Sequence, residues 1–253
     1  MYATERHAQI LEAARLHGRV DVTGIAKELD VTPETVRRDL TALERRGLLR
    51  RVHGGAIPVE RLNSEPAVAE RESLSPAEKD RIARAALAEL PEGGSIIIDA
   101  GTTTARLAQF LPADRELTVV THSIPIAHSL IARPNIHLHL LGGVVRARTE
   151  AAVGEWTTAQ IGGLFADVAF MGTNGISAER GLTTPDIVEA SVKKALIAAA
   201  RRTVVLADHL KFGRQDFALV APLSAIDTVI TDARTDAELA AEIEAAGPQV
   251  VIA

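Results

Sequence analysis

Thr32-Pro33-Glu34-Thr35-Val36-Arg37-Arg38-Asp39-Leu40 is the stretch on which the reading of this chain turns. A threonine ahead of a proline opens a helix well. The hydroxyl caps a free backbone N–H, and proline at the first helical position gives up an N–H that would lack a partner anyway. Val36, Leu40 and Leu43 fall on one apolar face, and Gly47 is placed to stop the helix. Upstream, Arg6 to Leu16 carries Ile10, Leu11 and Ala14 at helical spacing and ends at His17-Gly18. Between the two, Asp21 or Thr23 can cap a short helix through Leu29, and Asp30-Val31 forms a tight turn. Downstream, Leu48 to Arg51 alternates as a strand, His53-Gly54-Gly55 turns, and Ala56-Ile57 returns. This is the layout of a winged helix-turn-helix, whose last helix lays its N-terminal residues on base edges in the major groove.

Charge points the same way. The 253-residue chain carries a formal net charge of −5, yet residues 32–58 hold six arginines against three acids. A small basic module on an acidic body suits double-stranded DNA as partner. Arg37 and Arg38 leave the helix about 100° apart, so one can read a guanine while the other takes a phosphate. The alternative is a solvated basic face on a three-helix domain. The absence of cysteine excludes disulfides, thiol nucleophiles and Cys-based zinc sites. The polar start, Met1 to Arg6, lacks the apolar stretch of a signal peptide, and no apolar run reaches the ~20 residues of a membrane span. A cytoplasmic location with no membrane partner is therefore expected. His137 and His139 share a strand face, but no further ligand follows at metal-site spacing, so neither metal nor cofactor is expected.

Three segments follow from composition: a DNA-binding domain at 1–58, a polar linker at 59–75, and a larger domain at 76–253. The larger domain opens with a helix from Ser75-Pro76 to Leu90. Strands are then expected at Ser95–Asp99, Leu117–Thr121, Ile136–Leu141, Val168–Met171, Thr203–Ala207, Thr228–Thr231 and Gln249–Ile252. Helices alternate with them, including a long one at Asp186–Arg202. Continuous apolar strands between amphipathic helices imply an α/β fold with a mostly parallel sheet covered on both faces.

Ligands of open α/β sheets bind at strand C-termini. Asp99-Ala100-Gly101-Thr102-Thr103-Thr104 follows a strand and opens a helix, where free N–H groups and hydroxyls suit an anion. A merely capped helix start is the plainer reading. Other loops at strand ends supply Thr121, Gly142, Asn174, Gly175, Asp208 and Lys211 as candidate effector contacts. For Lys211 alone, a solvated surface lysine is the plainer reading.

The stretch Val31–Leu40, with Leu43-Glu44 and Gly47 to Ala56, closely resembles the DNA-binding signature of the DeoR/GlpR family of bacterial transcriptional regulators. Met171–Ile176, Gly181–Pro185 and Asp208–Gly213 resemble motifs of that family's sugar-phosphate-sensing domain, so the likeness spans nearly the whole chain. The resemblance implies that Thr32, Glu34, Thr35, Arg37 and Arg38 face DNA, with Arg51 and His53 of the wing near the backbone. Asp39 is read instead as a structural ion-pair partner, since phosphates would repel it. Two residues depart from the family pattern: His122 stands where asparagine is usual, and Leu210 where serine is usual. The family's sensing domain is similar in fold to ribose-5-phosphate isomerases, which makes an isomerase-like enzyme the rival reading. Where those enzymes carry Asp-Gly-Ala-Asp, this chain has Met171-Gly172-Thr173-Asn174 and no carboxylate to serve as base. The resemblance thus implies a repressor of a carbohydrate operon, released from operator DNA by a phosphorylated sugar. Paired half-sites further imply a homo-oligomer, dimer or tetramer.

Overall fold

The computed structural model describes residues 3–46, 48–52, 54–58 and 67–253. Gly47, His53 and residues 59–66 of the expected linker lie outside these residues. The chain divides into two compact units between residues 65 and 66.

The first unit contains α1 (Ala3–His17), β1 (Val20–Asp21), α2 (Val22–Glu28), α3 (Pro33–Arg45), β2 (Leu49–Val52) and β3 (Gly55–Pro58). Asp21 caps α2 by accepting from Gly24 N, and Thr32 caps α3 by accepting from Thr35 N at 3.2 Å. Ile10, Ile25, Val36, Leu40, Leu43 and Leu49 close one core, each at most 4% exposed. The expected hairpin is present, with Arg51 opposite Ala56 and Arg50 opposite Ile57. A third strand, β1, was not expected from sequence, because two residues carry no readable alternation. It pairs antiparallel with β3, and a Cβ on Gly55 would stand 2.0 Å from Val20 O. Only glycine lets those backbones approach so closely.

The second unit begins with α4 (Val68–Ser73) and α5 (Pro76–Ala85). The expectation of a linker through residue 75 is corrected here. Polar composition hid α4, a helix of six residues held by tertiary contacts: Val68 N donates to Arg148 O at 3.2 Å, and Lys79 Nζ donates to the carbonyls of Arg71 and Leu74. The helix from Pro76 also ends earlier than expected, at Ala85, and continues as a 3-10 turn through Glu89.

Seven strands form an all-parallel sheet: β4 (Gly94–Ile98), β5 (Leu117–Thr121), β6 (Ile136–Leu140), β9 (Ala166–Gly172), β12 (Ala200–Leu206), β14 (Thr228–Thr231) and β15 (Gln249–Ile252). Between them run β7 (Val144–Arg146), β8 (Ala151–Val153), β10 (Gly175–Ser177), β11 (Gly181–Thr184) and β13 (Ala218–Ala221). The helices are α6 (Thr102–Phe110), α7 (Ile124–Leu130), α8 (Glu155–Ile161), α9 (Ile187–Ala198) and α10 (Ala237–Ala245). The sheet order is β15-β14-β12-β9-β4-β5-β6. Ile96, Ile98, Val168, Phe170 and Val204 bury into one face, and Ile97, Ala169, Met171 and Val205 into the other. Alternation into two cores makes both faces apolar, as a sheet covered on both sides requires.

Two further expectations are corrected. The helix read through Arg202 ends at Ala198, because β12 starts at Ala200 and pairs it with Ala166 of β9. Helical periodicity does not distinguish Ala-rich helix from the start of a strand that a neighbour recruits. Sequence reading also missed two small antiparallel sheets, β7-β8 and β10-β11-β13, whose strands are three or four residues long. His137 and His139 lie exposed on the edge strand β6, and among the described residues no cluster of His, Asp and Glu is set to hold a metal ion.

Candidate functional site

In the first unit, α3 turns Val36, Leu40 and Leu43 inward and leaves Thr32, Glu34, Arg37 and Arg38 exposed, with Thr35 half-buried. Arg37 Nη1 donates to Glu34 Oε2 at 3.3 Å across one exposed turn. Such a pair is weak in water, so Arg37 can change partner at little cost. Arg51 on β2 is exposed, and its Nη1 donates to Thr41 Oγ1 at 3.3 Å. Its backbone N–H donates to Glu44 Oε1 at 2.9 Å. These bonds tie the wing strand to α3. His53 lies outside the described residues.

Asp39 does not join this exposed face. Its side chain is 8% exposed and accepts from Arg6 Nη2 at 3.0 Å, with His7 Nε2 at 2.9 Å from the same oxygen. Burial pushes the carboxyl up, but the bonds from Arg6 and His7 outweigh it and hold its pKa below the usual range. Asp39 therefore fastens α1 to α3.

In the second unit, the sheet order reverses direction between β4 and β9: successive strands step outward from β4 through β5 to β6, then resume on its other side at β9. Such a reversal leaves a crevice beyond the strand C-termini. A small cleft opens at that place. The turn after β4 contributes Gly101, Thr102 and Thr103, and the turn after β9 contributes Thr173 and Asn174. Cations enter from three other elements: Arg71 from α4, Lys193 from α9, and Lys211 from the 3-10 turn His209–Lys211.

No side chain caps α6 at Gly101, so its first N–H groups are not taken up by a capping side chain. Thr104 is fully buried and donates to Gly101 O at 3.0 Å, which shapes the turn. Asn174 Oδ1 accepts from Thr184 at 3.1 Å, leaving the amide N–H groups as donors. Burial lowers the pKa of Lys211, opposed by the charge of Asp208. The cleft thus gathers donors and positive charge, the chemistry of an anion site.

Asp99 lies beneath it, 0% exposed. One oxygen accepts from Gly172 N at 2.9 Å and from Lys193 Nζ; the other is 3.0 Å from His122 Nε2. Burial raises the Asp99 pKa, but Lys193 and His122 more than reverse that, so the carboxyl stays charged. His122 Nδ1 lies 2.8 Å from Ala152 O and donates to it. Its Nε2 also lies 3.2 Å from Ala100 N, so it accepts from that amide when neutral and donates to Asp99 when protonated. The imidazole at this departure from the family pattern braces the turn from below.

Of the residues expected at the effector, Gly101, Thr102, Thr103, Asn174 and Lys211 line the cleft together. Asp99, Thr104, Thr121 and Asp208 are each at most 1% exposed and support it from behind. Thr121 donates to Ile98 O at 2.7 Å, and Asp208 accepts from Leu210 N at 3.0 Å. Gly142 and Gly175 do not line the cleft. Gly142 N–H donates to Gln160, and a Cβ on Gly175 would meet Arg214 O at 2.4 Å. That glycine serves a close backbone passage.

Sequence reading missed Arg71, Lys193 and Lys79. Arg71 fell in the supposed linker. The other two left a signal: Lys193 lies on the buried stripe of α9 with Leu196, and Lys79 on that of α5 with Ile82 and Ala83. A lysine on an apolar stripe requires a buried partner. No carboxylate lines the cleft among the described residues, and Asp99 is already held by three partners. A proton-transferring base is therefore not presented to a ligand.

Two family models match: a DeoR-like helix-turn-helix domain at residues 6–61 and the DeoR C terminal sensor domain at residues 75–233. The chain is 38% identical over 251 residues to the HTH-type transcriptional regulator GlpR of Haloferax volcanii, covering 99% of this chain and 98% of that one. It is 33% identical to the glycerol-3-phosphate regulon repressor of Escherichia coli (strain K12), covering 92% of each. Among solved structures, ribose 5-phosphate isomerase A of Methanocaldococcus jannaschii matches at 18% identity and a TM-score of 0.38, over 53% of this chain and 52% of that chain. The chain spans about half of that enzyme, a likeness too slight to bear on activity. The curated relatives are transcriptional regulators, and the enzyme reading is not favoured. The chain belongs to the DeoR family of DNA-binding helix-turn-helix transcriptional regulators, with a C-terminal sensor domain.

Proposed function

We propose that the protein represses a carbohydrate uptake or catabolic operon and that a phosphorylated sugar, bound in the cleft between β4 and β9, releases it from operator DNA. The observation that carries this reading is the cleft itself: the start of α6 without a capping side chain, facing Arg71 and Lys211 with no lining carboxylate among the described residues. The phosphate sits on the turn at Gly101–Thr103, and Asn174 takes a sugar hydroxyl. Thr32, Glu34, Thr35, Arg37 and Arg38 of α3 face the operator, with Arg51 and His53 toward its backbone. A protein whose partner is genomic DNA works in the cytoplasm. Among the described residues no helix is long and apolar enough to cross a membrane.

Self-association belongs to the same reading, since one winged helix spans too short a site for specificity and paired half-sites mirror a two-fold dimer. Supporting it, Ile187 (60% exposed) on α9, Trp156 (80%) on α8 and Phe217 (74%) beside β13 leave large apolar side chains in solvent on elements that pack together. Where such side chains join into one contiguous patch, they mark an interaction surface.

The test is operator binding at fixed salt with increasing sugar phosphate, for the wild type, Thr103→Ala and Lys211→Ala. A ligand shifts an equilibrium only by its differential affinity for two states. Wild type should release DNA, and the variants should bind operator but need at least tenfold more ligand for release. Release of both variants at wild-type ligand concentrations would move the phosphate elsewhere. Operator binding indifferent to every sugar phosphate would remove the sensing role. Light scattering at micromolar concentration checks assembly, and a monomer with and without DNA would refute it.

A further inference from the structure

The guanidinium of Arg71 presents a problem that the protein itself does not solve. Its Nε is buried and has no hydrogen-bond partner, and no ion pair to Arg71 is present among the described residues. An arginine held at a cleft wall without an acid is unusual, because a guanidinium taken from water needs an anion or carbonyls around it. Its neighbours make the deficit worse. The charge of Arg71 lowers the pKa of both Lys211 and Lys79, and the carboxylate of Asp208 offsets that repulsion at the two lysines, not at Arg71 Nε, which has no partner. Lys193, the other cation lining the cleft, is already bound to Asp99 and the Gly172 carbonyl. The local balance calls for an anion between Arg71 and Lys211.

Placement adds a second observation. Arg71 stands on α4, the first element of the sensor unit along the chain, which starts three residues after the division between the units. α4 buries none of its own residues. Its anchors are the Val68–Arg148 backbone bond, the two carbonyls that Lys79 Nζ engages, Arg71 O and Leu74 O, and an ion pair at 3.7 Å between Glu72 and Arg106 of α6. A helix held by so few contacts opens easily, and an anion bridging Arg71 to the turn at Gly101–Thr103 would add a contact it lacks when empty.

We infer that Arg71 is a phosphate ligand of the cleft, binding the same group as Lys211 and the start of α6, and that its engagement pins α4 to the sensor unit. This rests on the reading of the cleft as a phosphorylated-sugar site and adds the residue by which occupancy reaches the chain segment leading to the DNA-binding unit. Arginine suits the task because its planar fork grips two phosphate oxygens at once, which lysine cannot do.

The experiment titrates inorganic phosphate into the full chain by calorimetry, and follows amide hydrogen exchange at residues 68–73 with and without phosphate. Wild type, Arg71→Gln, Arg71→Lys and Lys211→Gln are compared. Phosphate should bind wild type and slow exchange across 68–73. Arg71→Gln should weaken binding at least tenfold and lose the slowing even at saturating phosphate. Arg71→Lys, which keeps the charge and guards against a merely misfolded α4, should recover part of the affinity. If Arg71→Gln binds phosphate as wild type does while Lys211→Gln does not, the cleft is an anion site and Arg71 is idle, which overturns this inference alone. If wild type binds no phosphate, or neither Arg71→Gln nor Lys211→Gln changes its binding, the cleft reading falls and this inference with it.

Discussion

The two units of this protein handle charge in opposite ways. On α3 the pair Arg37–Glu34 sits in solvent, with side chains 54% and 63% exposed, and Arg38 is exposed beside it. Under the cleft, Asp99 and Lys193 meet with side chains 0% and 6% exposed. An exposed arginine is a mobile, salt-screened charge suited to a long polyanion whose bound counterions it displaces. A buried pair is a fixed scaffold, costly to break because each member stabilises the other where water cannot. On the proposed reading, DNA would meet charges that are free to rearrange, and a small anion a cleft whose Asp99–Lys193 support is locked beforehand.

The largest expected effect tests the locked side. Asp99→Ala leaves Lys193 buried without its carboxylate, removes the acceptor of Gly172 N–H, and should cost ~3–5 kcal/mol of stability. Urea unfolding of the variant checks this, and a loss below about 1 kcal/mol would mean the pair is not the scaffold described. Next comes pH. Burial pushes the pKa of Lys79 down from 10.5 to about 8, because its charge is desolvated and faces Lys211 and Arg71. A lysine whose folded pKa is depressed holds fewer protons than the unfolded chain between those values, so stability should rise with pH from about 8 to 10.5. The full gain is roughly 3 kcal/mol at ~1.4 kcal/mol per pH unit. Lys79→Met should flatten that rise, and denaturation at several pH values would expose a rise that persists.

On the mobile side, Arg37→Ala and Arg38→Ala should each weaken operator binding by ~1–3 kcal/mol, and the variant that loses a phosphate contact should lower the salt slope by about 1. Stability should move by less than ~0.5 kcal/mol, since both residues are exposed. Unchanged operator affinity in both variants would unseat α3 as the reading helix. The smallest effect sharpens the contrast: Glu34→Ala breaks an ion pair as surely as Asp99→Ala does, yet stability should change by no more than ~0.5 kcal/mol. A shift above about 1.5 kcal/mol would show that exposure does not separate the two pairs.

These contrasts also separate what could be read early from what could not. The helix-turn-helix was legible because its signals are local: Thr32 ahead of Pro33, the stripe of Val36, Leu40 and Leu43, and the arginines on the opposite face. The parallel sheet was legible for a similar reason, since each strand is an apolar run between helical patterns. β1 and the two small sheets were not, because a strand of two to four residues is specified by the neighbour that pairs with it.

The site divides along the same line. Sequence alone determined the turn chemistry, Gly101 to Thr104 after one strand and Asn174 after another, because glycine, threonine and asparagine at a strand end already say what the backbone there can do. It also determined that Asp39 belongs to the scaffold, through the repulsion an acid would meet at a phosphate. Only the tertiary structure decided that β9 lies beside β4, which brings those two turns together although they are some seventy residues apart. Only it separated the threonines that line the cleft from the threonines and carboxylates buried behind it, and brought in Arg71, Lys193 and Lys211 from three other elements. The physical reason is range. Capping, periodicity and turn preference act over a few residues, whereas burial and charge pairing depend on which distant segments the sheet order makes neighbours.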